Sequence, residues 1–246
     1  MPPLRSLTLL CVLLAAPGPL GCGSGEARVV AEGDAGLLPG GQEALTAVEN
    51  LGSAAGVAPR LRATVRLRQE GGEREVRLVG LSPLREAEVS DLPGPLRQGR
   101  VLSAEPGLEI VLGPRLAEAL GAPVGAPLTL EGADASGWDT FSVVGISQVE
   151  DPAGDGWVHI NDLQELTGVD DGLSALVVVP RAAGGAASLA AEVGALLPGA
   201  KITVQGEAPA IPPLKLALGL LSFAFAAAAL VSARRAPGDG RGSPSP

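Results

Sequence analysis

Cysteine is scarce in this 246-residue sequence, and tyrosine is missing altogether. Both cysteines, Cys11 and Cys22, lie near the amino terminus, so the rest of the chain holds neither a disulfide framework nor a cysteine-based metal site. Aromatic residues make up 2% of the chain, whereas apolar residues reach 46%. A sizeable core is therefore available, and it has to be built from Leu, Val, Ile and Ala. The 35 glycines and 22 prolines stand mostly at segment boundaries, which indicates many short elements.

Groups suited to catalysis are equally few. His159 is the single histidine, and no nucleophile or acid stands at a recognisable spacing from it, which argues against a hydrolase. We expect His159 to be an ordinary residue of an edge strand. The acidic stretch 150–156 lacks the ligand spacing of an EF-hand loop, so it predicts a turn rather than a calcium site. We therefore predict a protein that is not an enzyme and that uses no cofactor and no metal ion.

Positive charge is in short supply as well. The chain carries 18 Lys and Arg against 27 Asp and Glu, a formal net charge of −9. Nucleic acid is excluded as a partner because phosphate binding needs a basic footprint. The sequence has no Gly-x-x-x-x-Gly-Lys-Ser/Thr loop, so it offers no site of that kind for ATP.

The amino terminus has the pattern of a secretory signal over residues 1–21. Arg5 provides the positive region, and residues 7–16 form an apolar run of a length typical of exported proteins. The following Leu-Gly-Cys resembles a bacterial lipobox, which implies lipidation of Cys22, with 22–27 as a flexible linker. Pro19 departs from that pattern. An ordinary cleaved signal with an incidental Cys22, or an uncleaved anchor, are the alternatives.

The carboxyl terminus predicts a membrane span over residues 214–233. Twenty residues, most of them apolar, extend about 30 Å in a helix, the thickness of the hydrocarbon core. Arg234 and Arg235 follow directly and should remain cytoplasmic, which leaves the globular domain outside and a disordered tail over 234–246 inside. A buried helix of a soluble protein is the alternative.

Between these termini, short helices alternate with strands. Residues 61–68 alternate apolar side chains with Arg and Thr, the pattern of a half-buried strand, and 74–80 returns as its hairpin partner. We predict an α/β (α+β) fold in which an α/β subdomain of residues 28–82 and 172–207 is interrupted by a β-rich insertion, 83–171. The other expected elements are helices at 42–51, 114–120 and 186–197, a helix capped by Asn161, a loop-rich excursion at 83–99, and strands at 110–112, 128–130, 141–146, 157–160, 173–179 and 201–205.

Arginines gather on the predicted hairpin of this otherwise acidic chain. One interpretation is a docking face for an acidic partner or for lipid headgroups. The other is a solvated strand face that Glu70, Glu73 and Glu75 partly neutralise across the turn. The six arginines are Arg60, Arg62, Arg66, Arg68, Arg74 and Arg77.

The stretch EIVLGPRLAEALGAPVGAPLTL…FSVVGI, residues 109–146, carries a family resemblance, as do "GVAPRL" and "LVGLSP". Their order resembles the extracytoplasmic core domain of MacB-like and LolC/LolE-like ABC permeases, the family that includes FtsX. The resemblance implies a discontinuous, porter-like subdomain with an inserted second subdomain. It also implies a permease that works with a cytoplasmic ATPase. The permeases have four transmembrane helices, whereas one C-terminal transmembrane helix is predicted here.

From this resemblance we expect a non-catalytic accessory or truncated permease component of an ABC export or lipoprotein-release system. It would lie in the inner membrane of the bacterial cell envelope with its globular domain on the periplasmic side. Protein contacts, or the holding of a lipophilic cargo, would be its mode of action. Pro209, Pro212 and Pro213 exclude a continuous helical stalk between domain and membrane. The alternative is a stand-alone envelope lipoprotein that binds, scaffolds or senses.

Overall fold

A computed structural model describes residues 27–33, 36–69, 72–132 and 137–206. The predicted signal peptide, the lipidation site Cys22, the span 214–233 and the tail 234–246 lie outside the described residues. Within the described part of the chain, none of the helices has the length and apolar character needed to cross a membrane.

The described residues form ten strands and five helices, and most of the expected elements are present. The strands are β1 (Arg28–Gly33), β2 (Ala54–Gln69), β3 (Gly72–Leu81), β4 (Leu96–Gly99), β5 (Glu109–Leu112), β6 (Pro127–Glu131), β7 (Trp138–Ser147), β8 (Gly156–His159), β9 (Ala175–Pro180) and β10 (Ala200–Gln205). The helices are α1 (Gly41–Glu49), α2 (Pro83–Val89), α3 (Pro114–Leu120), α4 (Ile160–Thr167) and α5 (Ala186–Leu196).

The strands β10, β1, β9 and β2 form an open, antiparallel part of the sheet with helices on both faces. On one face, β9 contributes Leu176 and Val178 to the main core, together with side chains of α1 and α5. On the other face, Val177 packs with Val89 of α2 in a separate apolar cluster. Burial on both faces explains why β9 is a continuous apolar run rather than an alternating one.

The long strand β2 takes part in a second arrangement that the sequence did not predict. Beyond its pairing with β9, β2 pairs with β3 and, at residues 66–68, with β6. Further pairings join β3 to β8, β8 to β5, β5 to β7 and β7 to β6. These six strands thus close on themselves, and we call them the strand ring (β2, β3, β8, β5, β7 and β6).

Period-2 alternation sorts the side chains of the strand ring into two apolar clusters. One set belongs to the main core and includes Leu67, Leu78, Leu130 and Phe141, each at most 1% exposed. The other set, on the opposite face, surrounds Trp157 and is covered by residues from the 92–102 connection. The core side of the ring is therefore filled with side chains.

Helices α3 and α4 both contribute apolar side chains to the main core. Pro114 occupies the first turn of α3, and the helix ends at Gly121 with φ 60°, as the sequence predicts. Helix α4 buries Ile160, Leu163 and Leu166 and contacts β2, β3 and β6. The insertion and the hairpin therefore share one core.

Three local predictions were wrong. Residues 83–99, expected to be loop-rich, contain α2 and β4, because Pro83 occupies the first turn of a helix, where proline is well tolerated. Asn161 does not cap α4. The cap is His159, whose Nδ1 accepts a hydrogen bond from the Asn161 backbone N–H at 3.2 Å. Nor is His159 on an edge strand, because β8 lies between β3 and β5.

Candidate interaction surface

The register of the β2–β3 hairpin sorts the six arginines by face. Arg62, Arg66 and Arg68 occupy the positions of β2 that alternate with its buried side chains. Arg77 faces Thr64 across the pair and shares their side of the hairpin. Arg74 instead lies opposite the buried Leu67, at the exposed end of the hairpin, so it points to the other face.

Arg60 is the most buried of the six and fastens α2 to the sheet. Its guanidinium makes two hydrogen bonds to Glu86 of α2, from Nε to Oε2 at 3.1 Å and from Nη2 to Oε1 at 2.5 Å. The Glu86 side chain is fully buried and that of Arg60 is 14% exposed. Ser90 at the end of α2 also donates a hydrogen bond to Glu86. This arginine therefore holds the fold together and is not free to dock a partner.

Two more arginines pair with carboxylates beyond the hairpin. Arg62 Nη1 donates to Glu32 Oε1 of β1 at 2.8 Å. Arg77 Nη2 lies 3.6 Å from Asp155 Oδ1, and the Arg77 backbone N–H donates to Oδ2 of the same carboxylate at 2.8 Å. Both contacts join residues that lie far apart in the sequence.

Arg66 and Arg68 form the exposed part of the cluster, next to Trp138 at the start of β7. The Arg68 guanidinium stacks 3.9 Å from the centre of the Trp138 ring, and that of Arg66 lies 5.9 Å from it. Arg66 also pairs with Glu131 of β6 and, at 3.6 Å, with Glu73. We call Arg66, Arg68 and Trp138 the Arg–Trp patch. A cation on an indole ring adds attraction beyond apolar contact.

Sequence reasoning missed Trp138 as a member of this surface. It is one of two tryptophans in the chain, and the other, Trp157, is fully buried. The rarity of aromatic residues is the signal that could have drawn attention to it. Its position beside the arginines depends on the β2–β6 and β6–β7 pairings, which no local pattern reveals.

Carboxylates form ion pairs with most of the arginines on the hairpin. The predicted neutralisation by Glu73 is present, since this residue lies within 4.0 Å of both Arg66 and Arg68. Glu70 lies outside the described residues. Arg74 is exposed, and its guanidinium forms no ion pair with a residue in the described part of the chain. The surface thus combines a half-buried indole with paired arginines, a composition enriched at protein contacts.

A second charged cluster lies at the start of β5. Arg100 Nη1 donates to Glu109 Oε2 at 3.0 Å, and Ser103 donates to the same carboxylate from both its backbone N–H and its hydroxyl. These donors, Arg100 foremost, lower the pKa of Glu109 to about 2, against the opposing effect of burial. The same contact raises the pKa of Arg100. The cluster ties the 100–109 connection to the strand ring.

The acidic loop before β8 behaves as a structural turn. Asp151 Oδ1 accepts from the Ala153 N–H at 2.8 Å, and Glu150 Oε1 accepts from the Arg115 N–H at 3.0 Å at the start of α3. Among the described residues, no group of three or more His, Cys, Asp or Glu is arranged to hold a metal ion.

Two of the surface cavities border α2 and share Arg85 in their walls. One of about 370 Å³ is lined by Glu49, Arg85, Glu88, Arg181 and the start of β2. Another of about 390 Å³ lies between α1 and α4 and contains His159 in its wall. Both carry charged side chains, which suits polar ligands rather than a lipophilic cargo.

Comparisons with known proteins agree on one family. The model of the MacB-like periplasmic core domain matches residues 16–196. The fold is similar to the extracellular domain of the noncanonic ABC-type transporter YknZ from Gram-positive bacteria, with a TM-score of 0.56, 16% identity, and coverage of 73% of this chain and 99% of that one. It is also similar to the periplasmic region of MacB from Actinobacillus actinomycetemcomitans, with a TM-score of 0.54, 13% identity, and coverage of 73% and 88%. No curated protein sequence matches the chain.

Proposed function

The chain belongs to the family of MacB-like periplasmic core domains, and from this premise we propose a non-catalytic component of an ABC export or lipoprotein-release system. Membership implies an extracytoplasmic location for the domain, in the context of ABC transporter permeases. The proposed role is that of an accessory or truncated permease component, anchored in the inner membrane. It acts by contact with a permease and its cytoplasmic ATPase.

One observation carries this proposal. The similar fold extends over 99% of the YknZ extracellular domain and 88% of the MacB periplasmic region, so the described residues hold a whole domain of this type. The family match and the fold thus concern the same part of the chain, the part that lies outside the membrane in those transporters. The proposed anchors are the apolar run 214–233 and a lipidated Cys22.

We also propose the domain division expected from the sequence. Residues 28–82 and 172–207 would form the porter-like subdomain, and 83–171 the inserted one. The pairings of β1 with β9 and β10, and of β2 with β9, support the first subdomain, because they join strands of 28–82 and 172–207 in one sheet. The β2–β3 hairpin also pairs with β6 and β8 of the proposed insertion. Because the hairpin pairs with strands of both proposed subdomains, it would transmit movement of one subdomain directly to the other.

The Arg–Trp patch is the proposed contact surface. Trp and Arg are the residue types that contribute most binding energy at protein interfaces. Arg66 and Arg68 side chains are 42% and 53% exposed, which leaves them available although they are ion-paired. Because nearby carboxylates balance these arginines, we expect affinity to come from the indole and guanidinium planes more than from net charge.

A stand-alone envelope lipoprotein that binds, scaffolds or senses is the second candidate. It is favoured by the lipobox-like Leu-Gly-Cys ending at Cys22, which would suffice to hold the domain at a membrane surface without a transport partner. An adjacent ATPase gene together with a gene for a four-helix permease favours the first candidate. Isolation of the gene favours the second.

The direct experiment is purification of the full-length protein from membranes in mild detergent. The transport proposal expects a permease or ATPase subunit to be recovered with it. The matched control is the double variant Arg68→Ala/Trp138→Ala, which removes the Arg–Trp patch. Recovery of the protein without either subunit would lead us to abandon the proposal.

A further inference from the structure

The cavity between α1 and α4 contains polar groups that no part of the proposed function uses. Its volume of about 390 Å³ falls in the range of small-molecule sites. Gln42 of α1, Ser82 and Arg85 at the start of α2, and His159 and Asn161 at the start of α4 contribute to its wall. The site therefore draws on three helices, and β3 and β8 lead into two of them.

His159 is the best-defined group in this cavity. Its side chain is buried, with 7% of the residue exposed, and it lines the cavity. Because Nδ1 accepts the Asn161 N–H, the ring is held as the tautomer that carries its proton on Nε2. Nε2 hydrogen-bonds to no residue in the described part of the chain. Nε2 is not one of the described buried polar atoms that lack a partner, so it can be reached from the cavity, and its N–H is free to donate to a ligand there.

The neighbouring side chains add further donors, although the hydroxyl and the amides among them can also accept. Neither the Ser82 hydroxyl nor the side-chain amides of Gln42 and Asn161 bond to a described residue. Arg85 pairs with Glu49 and still borders the cavity. Asp171 is the opposing charge in the wall, and it is exposed. It disfavours a highly charged anion but can accept from hydroxyl or amino groups.

We propose that this cavity binds a small molecule through an oxyanion, a carboxylate or a phosphate, that accepts from His159 Nε2 and from Arg85. Ser82 and Asn161 supply further donors, and the positive end of the α4 dipole adds to the attraction. Asp171 weakens the binding of a simple anion without preventing it, and it favours ligands that carry a hydroxyl or amino group beside the oxyanion. The inference stands on the cavity alone and is independent of any transport role.

The single histidine makes a direct test possible. The full-length protein, purified without a histidine tag, is labelled with 15N and studied in detergent micelles by NMR of the imidazole. The free protein should show the Nε2–H tautomer. Inorganic phosphate and, separately, succinate are then added at constant pH and ionic strength, with sodium chloride as the matched control. A saturable shift of the His159 Nε2 resonance with either anion, and none with chloride, is the expected result.

Variants identify the groups involved. His159→Asn keeps a side chain that can cap α4 but removes Nε2, and Arg85→Gln removes the guanidinium. Backbone amide shifts of α4 should report anion binding about tenfold weaker in each variant. Asp171→Asn should bind phosphate more tightly. Arg97→Gln, which is not in the cavity wall, should bind like the wild type.

Two results would overturn the proposal. One is the absence of a saturable shift with both anions at concentrations up to about 50 mM, a generous limit for a weak site. The other is unchanged binding in folded His159→Asn and Arg85→Gln proteins. If one of the two variants fails to fold, the other variant and the wild-type titration still test whether the cavity binds an anion.

Discussion

The buried pair of Arg60 and Glu86 offers the sharpest test of how α2 is held. The helix has seven residues, too few to be stable by itself, so its contacts with the sheet have to supply its stability. Val89 contributes apolar contact with Val30 and Val177. The fully buried carboxylate of Glu86 accepts two hydrogen bonds from the Arg60 guanidinium.

The expected change in the free energy of unfolding depends on whether a substitution leaves a buried charge without its partner. Glu86→Ala buries the Arg60 charge without its partner, and Arg60→Met does the same to Glu86. Removing one member of a buried ion pair costs about 3–5 kcal/mol. Replacing both, as in Arg60→Met/Glu86→Leu, leaves no charge uncompensated, and the free energy of unfolding should stay within about 1 kcal/mol of the wild type or exceed it.

Denaturant unfolding of the full-length protein in detergent, followed by fluorescence of the buried Trp157, measures these energies. Hydrogen exchange of the α2 amides shows whether the loss is local or global. The reasoning is refuted if each single variant costs less than about 1 kcal/mol, because the pair would then behave like a surface salt bridge. It is also refuted if the double variant loses as much stability as the sum of the singles.

Three further changes test other parts of the structure. Gly132→Ala places a Cβ 1.9 Å from the Leu166 carbonyl oxygen and should cost about 1–3 kcal/mol, whereas Gly52→Ala meets nothing within 4 Å and should be nearly neutral in the same unfolding assay. The pKa of Glu109 is lowered to about 2 from an ordinary 4.5, so its contribution to stability is present above about pH 5 and lost as the pH falls towards 2. Acid unfolding of Glu109→Gln should therefore lack this part of the pH dependence, and an unchanged acid curve would contradict the assignment. His159→Ala should lower stability by about 1 kcal/mol through loss of the α4 cap, and His159→Asn should restore most of it; equal losses would contradict the capping role.

Local sequence patterns predicted the elements that local forces determine. Pro114 and Gly121 define α3 because the one suits the first turn and the other accepts a positive φ. The alternation around Val65 and Leu67 identifies the central part of β2. The mixed α/β fold, and the family it indicates, followed from the order of such elements.

The remaining features depend on contacts between distant residues. The strand ring closes through β3 with β8 and through β2 with β6, pairings that no sequence window contains. The Arg–Trp patch and the pairing of Arg60 with Glu86 follow from that topology. The cap of α4 was assigned to Asn161 in place of His159 because β8 ends and α4 starts without a connecting loop, and the boundary lies two residues earlier than an Asn161 cap would require.

Formaldehyde cross-linking in intact cells, followed by purification of the full-length protein and quantitative mass spectrometry, tests the central claim most directly. The claim is that this extracytoplasmic domain acts as part of an ABC system at the membrane. We expect a permease or its ATPase to be enriched over an unrelated membrane-anchored control, and Arg68→Ala/Trp138→Ala to reduce the enrichment. Full recovery of the protein with neither subunit enriched would contradict it.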